Sequence, residues 1–363
     1  GTNTEGNKMS LEDLRRKIDE TDARIVRLLA ERIRIAEEIG REKNKQGKQA
    51  EDKGREKVVL EKVKGIAQEE NVSPESIESI YRQIVTVSRS VQGIVVAFQG
   101  EIGAYSEEAA FNFFGPSIKV EPCESLGDVF KVVEGAEVPF GIVPIENSLE
   151  GSISRVYDLL LDSSVKVCGE IELRVVHCLI ANPGARVDLI RRVYSHPQAL
   201  GQCQAFLKHL NCELIPTYDT AGSVKMVKEM GIVDGAAIAS ARAAEIYGME
   251  IVAREIEDNP NNFTRFFILS QQDSPPSGND KTSIVFSVKH KPGALYEFLK
   301  GLAVRNINLT KLESRPTRQK PWDYNFYLDF EGHRQDKASQ EALEYLEETS
   351  LFVKVLGSYP KAK

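Results

Sequence analysis

The sequence predicts a multidomain chain with three folds in series: all-α over 8–92, α/β over 94–271, and a small α+β unit over 281–360. Three observations carry this. Apolar residues recur at threes and fours up to residue 92, the mark of amphipathic helices. From residue 94, short apolar runs bounded by glycine and polar residues take over, as in buried strands. Beyond a Ser-, Pro-, Gly- and Asp-rich linker at 271–280, the order becomes strand, helix, strand, strand, helix, strand, the ferredoxin-like plan.

In the first region Leu11, Leu14, Ile18, Ile25, Leu28, Leu29, Ile35 and Ile39 make one stripe on a helix over 10–45. Ser10 is its cap, with Asp13 as the acidic partner three residues on. Such a helix is roughly 50 Å long, more than a domain this small can bury. A second helix covers 54–70, and a third starts with Ser73 as cap and Pro74 at the first position. One long and two short helices bury poorly alone. The region therefore predicts two intertwined chains, a homodimer, or a tetramer built from such dimers.

In the second region, runs at 94–98, 140–143, 175–180, 192–194, 236–239 and 266–269 read as strands. Helical stretches at 106–114, 125–134 and 198–209 lie among them, predicting a sheet layered between helices. In the third, 284–288, 307–314, 322–330 and 352–356 read as strands, and 294–304 and 337–347 as helices. No internal repeat runs across the regions.

Composition narrows the function. Hydrophobic residues are 41% and charged residues 28%, enough apolar material for a core in each region. A net charge of −7 argues against a general nucleic-acid binder. The apolar runs are too short to span a membrane. The five cysteines are odd in number and form no CxxC pair, which predicts neither a disulfide framework nor zinc and favours a reducing cytoplasm. Residues 1–8 are small and polar and read as a frayed end, not a signal peptide.

The helical region carries charges that share faces. Arg32 and Lys43 are eleven residues apart, about 20° on a helix. Asp52, Arg55 and Glu56 stand at i, i+3, i+4, and Ser88 and Gln92 at i, i+4. Arg15 lies about 100° from Arg32 and points elsewhere. Taken singly, each is a solvated helix face. Together, LRRKID, ERIRIAEEIGREK, DKGRE and SRSVQ resemble the all-helical chorismate mutase family over nearly all of 10–92. The resemblance implies that Arg15, Arg32, Lys43, Asp52, Arg55, Glu56, Ser88 and Gln92 are its active-site positions, with Arg15 reaching into the partner subunit's site. The residue types suit the chemistry. Chorismate carries two carboxylates, which guanidinium forks bind in a bidentate way. The rearrangement is pericyclic and needs no nucleophile, cofactor or metal. The enzyme holds the reactive conformer and stabilises charge growing on the ether oxygen, the part implied for Lys43 and Gln92. Glu56 would accept from the ring hydroxyl. The segment 44–51 (NKQGKQAE) is more polar than the family pattern.

The central region places polar signatures at the ends of apolar runs: GEIGAYS at 100–106, VPIENS at 143–148, SHPQALGQC at 195–203, DTAGS at 219–223 and NNFTRF at 261–266. Open α/β sheets bind ligands at such strand ends. Residues 100–103 read either as an anion cradle before a helix or as a plain strand–helix turn. They lack the GxGxxG spacing and a P-loop lysine. His177 and His196 have no acidic partner at zinc spacing, so no metal site is expected. Cys203 reads as buried packing. The five signatures together resemble prephenate dehydratases over 94–269. That implies two α/β subdomains of periplasmic-binding-protein type with prephenate between them, Thr264 as the essential threonine, and Glu146, Asn147, His177, Ser195, Gln202, Asp219 and Arg265 in the cleft.

In the C-terminal region, Pro292 to Tyr296 (PGALY) opens a helix and Leu312 to Pro316 (LESRP) closes a strand. Alone these are ordinary turn residues. Behind a dehydratase they resemble the ACT regulatory domain, which implies paired domains binding phenylalanine at their interface. Gly293 and Ala294 would meet the amino acid's polar groups, Leu295 would help enclose its ring, and Glu313, Ser314, Arg315 and Pro316 form the matching strand motif. Two other readings stay open. One is a dehydratase whose helical region is only a dimerisation module, the other a non-catalytic amino-acid-binding regulator.

Overall fold

The structure, a computed structural model, describes residues 10–45 and 53–362. It contains two compact units, residues 1–94 and 95–363. The first holds α1 (Leu11–Lys45), α2 (Lys53–Glu69) and α3 (Pro74–Gln92). Both expected helix starts are capped. Ser10 Oγ accepts from Asp13 N at 3.1 Å while the Asp13 carboxylate accepts from Ser10 N, and Ser73 Oγ accepts from Ser76 N. α3 packs on both other helices, where Ala36, Val63 and Ala67 are buried and Lys64 pairs with Glu78 at 3.0 Å. The α1 stripe is not covered within one chain: Leu11, Ile18, Val26, Leu28 and Ile35 are all exposed, Leu28 by 62%. So long an apolar face in water marks an interaction surface.

The second unit starts with β1 (Val95–Gln99), α4 (Tyr105–Phe114), β2 (Lys119–Cys123), α5 (Leu126–Glu134), β3 (Phe140–Asn147), β4 (Gly151–Ser152), α6 (Ser154–Asp162) and β5 (Lys166–Arg174). The chain then crosses to β6 (Cys178–Ala181), β7 (Arg192–Ser195), α7 (Pro197–Gly201), α8 (Gln204–Leu210), β8 (Glu213–Pro216), α9 (Thr220–Glu229), β9 (Gly235–Ala239), α10 (Ala241–Tyr247) and β10 (Glu250–Ala253). It returns as β11 (Phe263–Ser270). One sheet runs β2-β1-β3-β11-β5, with β4 beside β3, and the other runs β10-β6-β9-β7-β8. Each sheet mixes parallel pairs, such as β1 with β3 and β7 with β9, with antiparallel ones. Two crossings between two sheets make two subdomains with a cleft at their strand ends, where open α/β sheets bind ligands.

Two boundaries differ from the sequence reading. The run at 175–180 is not one strand, because 175–177 connect the sheets and β6 begins at Cys178. The helix expected over 198–209 is two, α7 and α8, broken at Gln202 and Cys203. Asp258 explains the restart, since its carboxylate accepts from Gln204 N and Ala205 N and caps α8. The short, weakly apolar β2, β8 and β10 carried no strand signal that the sequence reading used.

The C-terminal part has the expected order: β12 (Asp280–Ser287), α11 (Ala294–Ala303), β13 (Leu309–Pro316), β14 (Tyr324–Glu331), α12 (Lys337–Thr349) and β15 (Phe352–Pro360). Its sheet runs β13-β14-β12-β15 and is antiparallel throughout. The helices cover one face through Phe286, Phe298, Leu328 and Phe330. The other face joins the core of the first α/β subdomain, where Val285, Tyr327, Leu356 and Tyr359 pack with Val143, Val167 and Phe267. β15 runs so close to β5 that a Cβ at Gly357 would collide with the Val167 carbonyl. The linker at 271–279 thus joins two parts that fold against each other.

Candidate active site

In the helical unit, Arg32 on α1 donates to Ser88 Oγ on α3, and Ser88 donates in turn to the Ile84 carbonyl at 2.8 Å. This joins two of the sequence-predicted residues. Arg55 and Glu56 lie in the first turn of α2. Asp52 and the side chains of Lys43 and Gln92 fall outside the described residues. Arg15 is exposed, 17 positions before Arg32 on the same helix. At 1.5 Å per residue that is roughly 25 Å away, too far to serve one site with Arg32 in one chain.

The second site is a cavity of about 220 Å³ at the cleft between the α/β subdomains, the volume of a small metabolite. Asn147, His177, Gln202, Asp219 and Thr264 line it. They come from β3, the β5–β6 crossing, the α7–α8 break, the start of α9 and the start of β11. A chain of hydrogen bonds joins four of them. His177 Nε2 meets Gln202 Oε1 at 2.8 Å, and Asn262 Nδ2 donates to that same oxygen at 2.9 Å. Asn262 Oδ1 accepts from Asn147 Nδ2 at 2.7 Å, and Asn147 Nδ2 also donates to Thr264 Oγ1 at 3.1 Å. Asn147 Oδ1 is held by Leu149 N and Glu150 N, which fixes the orientation of its amide. Asn147 Nδ2 also lies 3.1 Å from the Phe263 carbonyl, and Thr264 Oγ1 borders the cavity.

Tyr105 closes the other end, its hydroxyl 2.8 Å from His177 Nδ1. Burial lowers the proton affinity of His177, with the bond to Gln202 opposing. Burial thus favours the neutral ring, whose two nitrogens face Tyr105 and Gln202. The unfolded chain takes up that proton near pH 6.5, above the folded value. The unfolded state then binds more protons, so this contribution to stability is lost as pH falls below 6.5. Melting points compared at about pH 7.5 and about pH 5.5 should show a smaller drop for His177→Gln than for the parent. Asp219 is the cavity's one carboxyl. Burial raises its proton affinity although Gly222 N donates to it at 2.7 Å.

Three predicted residues do not line the cavity. Ser195 is fully buried and donates to the Ile238 carbonyl at 2.7 Å, tying β7 to β9. Arg265 and Glu146 are opposite each other in the β11–β3 ladder, one step from the Thr264–Asn147 pair. Successive strand residues point to opposite faces. Thr264 and Asn147 therefore face the cavity, while Arg265 and Glu146 face the C-terminal sheet. There Arg265 donates to Glu170 at 2.8 Å, Glu146 at 3.1 Å and Asp329 at 2.7 Å, and Lys311 also pairs with Glu146. Burial pushes the Glu146 carboxyl up, but Lys311 and Arg265 outweigh it and hold it below its ordinary value. The cavity has no lysine or arginine in its lining. The start of α4, which has no side-chain cap, borders it through Ala104, Tyr105 and Ser106, and the N-terminal end of a helix favours negative charge. Sequence reading missed Tyr105 and Asn262, although both sit inside quoted signatures, because neither is an unusual residue for a strand end.

Among the described residues no hydrogen bond joins a serine or cysteine side chain to a histidine ring. Burial also pushes the Cys203 thiol far up. The cavity therefore has no activated nucleophile.

On the C-terminal part, Gly293 is the N-cap of α11 in left-handed backbone, followed by Ala294 and Leu295 in the first turn. Glu313, Ser314, Arg315 and Pro316 end β13. Glu313 accepts from Ser152 Oγ and Arg315 donates to Asp158 at 3.1 Å, so this strand grips the first α/β subdomain, while Leu312, Ser314 and Pro316 are exposed.

Three family models match the chain in order: Chorismate mutase type II at 14–93, Prephenate dehydratase at 96–274 and ACT domain at 282–348. A bifunctional chorismate mutase/prephenate dehydratase of Aquifex aeolicus is 40% identical over 359 residues, covering 97% of this chain and 98% of its own. A prephenate dehydratase from Arthrobacter aurescens, solved with L-Phe, superposes with a TM-score of 0.68 at 30% identity, over 74% of this chain and 90% of that one. A structure titled as a quorum quenching acylase, GqqA, gives the same TM-score at 36% identity, over 73% and 97%. Matched along its whole length in the same domain order, the chain belongs to the family of bifunctional chorismate mutase/prephenate dehydratases.

Proposed function

We propose that the chain rearranges chorismate to prephenate on its helical unit and converts prephenate to phenylpyruvate in the α/β cleft, in the cytoplasm. The observation that carries the second step is Thr264 in the cavity wall, its Oγ1 3.1 Å from Asn147 Nδ2, where the hydroxyl can reach a bound substrate. In that step the bond to the ring carboxylate breaks, its electron pair enters the ring, and the ring hydroxyl leaves. Carbon dioxide departs, and the hydroxyl takes one proton to become water. Aromatisation drives the reaction, and the barrier lies in expelling hydroxide. Threonine is too weak an acid to store the proton, so Thr264 acts as a positioned donor. Asp219 is the one cavity carboxyl able to hold a proton above the usual range. His177, Gln202 and Asn147 keep the donor in place.

For the first step, Arg32, Arg55 and Ser88 receive the substrate's carboxylates, and Lys43 and Gln92 donate to the ether oxygen. Glu56 and Asp52 take the ring hydroxyl side, and Arg15 comes from a second chain. The exposed α1 stripe and the distance of Arg15 from Arg32 both support an intertwined homodimer. Phenylalanine is the effector, held between paired C-terminal domains at Gly293, Ala294 and Leu295 and the exposed side of the 313–316 strand. The acylase title of one neighbour gains no support from a cleft without an activated nucleophile.

Purified chain fed chorismate should consume it and release phenylpyruvate. Arg32→Ala should lower chorismate turnover by about two orders of magnitude, the loss of a buried charge-assisted contact, while added prephenate is still converted. Persistence of chorismate with normal conversion of prephenate would withdraw the mutase half.

A further inference from the structure

The signature at 100–106 has so far contributed Tyr105 to the cavity, but not its serine. It ends in the first turn of α4. α5, α9 and α10 each start from a polar side chain that caps them, Ser125, Asp219 and Ser240. α4 starts from Ala104 with no side-chain cap. Its first-turn N–H groups lie against the cavity, which Ala104, Tyr105 and Ser106 line. Such groups are unsatisfied donors at the positive end of the helix dipole.

A separate observation points the same way. Ser106 is only 9% exposed, lines the cavity, and its hydroxyl has no hydrogen bond among the described residues. A hydroxyl so placed is free to donate to a ligand in the cavity. Glu107, in the same turn, is turned off the cavity. Its carboxylate accepts from Gly103 N and pairs with Arg242 at 3.3 Å. Gly103 itself has a φ of +96° and lies where a Cβ would press on the Ala243 backbone at 3.1 Å, so this turn is fixed against α10.

We infer that Ser106 and the first turn of α4 form the subsite for the carboxylate that prephenate keeps, that of its pyruvyl side chain. This rests on the dehydratase reading. The chemistry decides between the two carboxylates. The ring carboxylate leaves as neutral carbon dioxide and sheds its charge on the way to the transition state. A site that gripped it would favour the ground state and slow the reaction. The side-chain carboxylate keeps its charge throughout and survives in phenylpyruvate. Holding it lowers KM without opposing the chemical step.

The test is calorimetric titration of phenylpyruvate into the full chain, with parallel prephenate kinetics and a melting curve for each variant. Ser106→Ala should weaken phenylpyruvate about tenfold, as expected for one hydrogen bond to a charged group. Its dehydratase loss should fall on KM, not kcat. Ser106→Thr keeps the hydroxyl and should bind phenylpyruvate within about threefold of the parent, while Ser106→Asp should bind it least because like charges meet. Parent-like phenylpyruvate affinity in both Ser106→Ala and Ser106→Asp would overturn the subsite. A fall in kcat with unchanged product affinity would also overturn it, assigning the hydroxyl to the departing groups. A parent that binds phenylpyruvate with the predicted Ser106 dependence but does not convert prephenate would sink the dehydratase reading and leave the carboxylate subsite standing.

Discussion

Thr264→Ala should lower prephenate dehydration by about two to four orders of magnitude, the usual worth of a positioned proton donor. The expectation follows from the position of one hydroxyl. Asn147 Nδ2 donates to Thr264 Oγ1, and Asn147 cannot turn round, because its other amide atom is held by two backbone N–H groups. The threonine hydroxyl borders the cavity, where it can donate to a bound group. Removing the hydroxyl should leave the melting point within a few degrees of the parent, since one partly buried hydrogen bond contributes about 1 kcal/mol. Chorismate consumption should continue, because the helical unit is separate. Thr264→Ser should recover much of the rate. Dehydration by Thr264→Ala within a few-fold of the parent would remove threonine from the mechanism.

Arg265→Ala, one residue along, should fail in a different way. Arg265 is 8% exposed and bonded to three carboxylates, of which Glu170 is fully buried. Lys281 remains on Glu170 and Lys311 on Glu146, but Asp329 keeps only Ser283 and its neighbours. Breaking a buried ion network from one side leaves uncompensated charge and costs about 3–5 kcal/mol, a large share of a domain's stability. Denaturant titration should show the midpoint for residues 95–363 falling steeply. The same network joins β3 and β11, which carry Asn147 and Thr264, to β13, which carries Glu313 and Arg315. Arg265→Met, a milder change, should therefore blunt inhibition by phenylalanine as well as lower the midpoint. A variant that keeps parental stability and shows only a raised KM for prephenate would return Arg265 to the substrate cleft.

These two neighbours show what was legible. The NNFTRF signature lies at the cavity, which Thr264 lines, and the resemblance implied a functional part for both Thr264 and Arg265. Nothing in the sequence said that a whole regulatory sheet lies behind β11. Without that sheet, a charged residue beside a cavity-lining threonine reads as a substrate ligand. Glu146 beside Asn147 likewise was expected in the cleft and instead pairs with Arg265 and Lys311. Ser195 was placed in the cleft because its motif ends a strand there, yet its hydroxyl serves the Ile238 carbonyl. The reverse error hid Asn262, which looks like an ordinary loop residue and is a fully buried link between Asn147 and Gln202.

The sequence by itself did not show α6, α9 or α10, but it determined the three-part order, the helix starts of the first and last regions, the ferredoxin-like plan and several strand ends that border the cavity. These depend on local periodicity, caps and turn residues, which act over a few positions. Only the tertiary structure decided which face each strand residue took and that the linker joins packed partners. It also placed the start of α4, without a side-chain cap, and no arginine, in the cavity lining. Those outcomes depend on what lies across the sheet, and a residue alternating along a strand carries no record of which neighbour waits on either side.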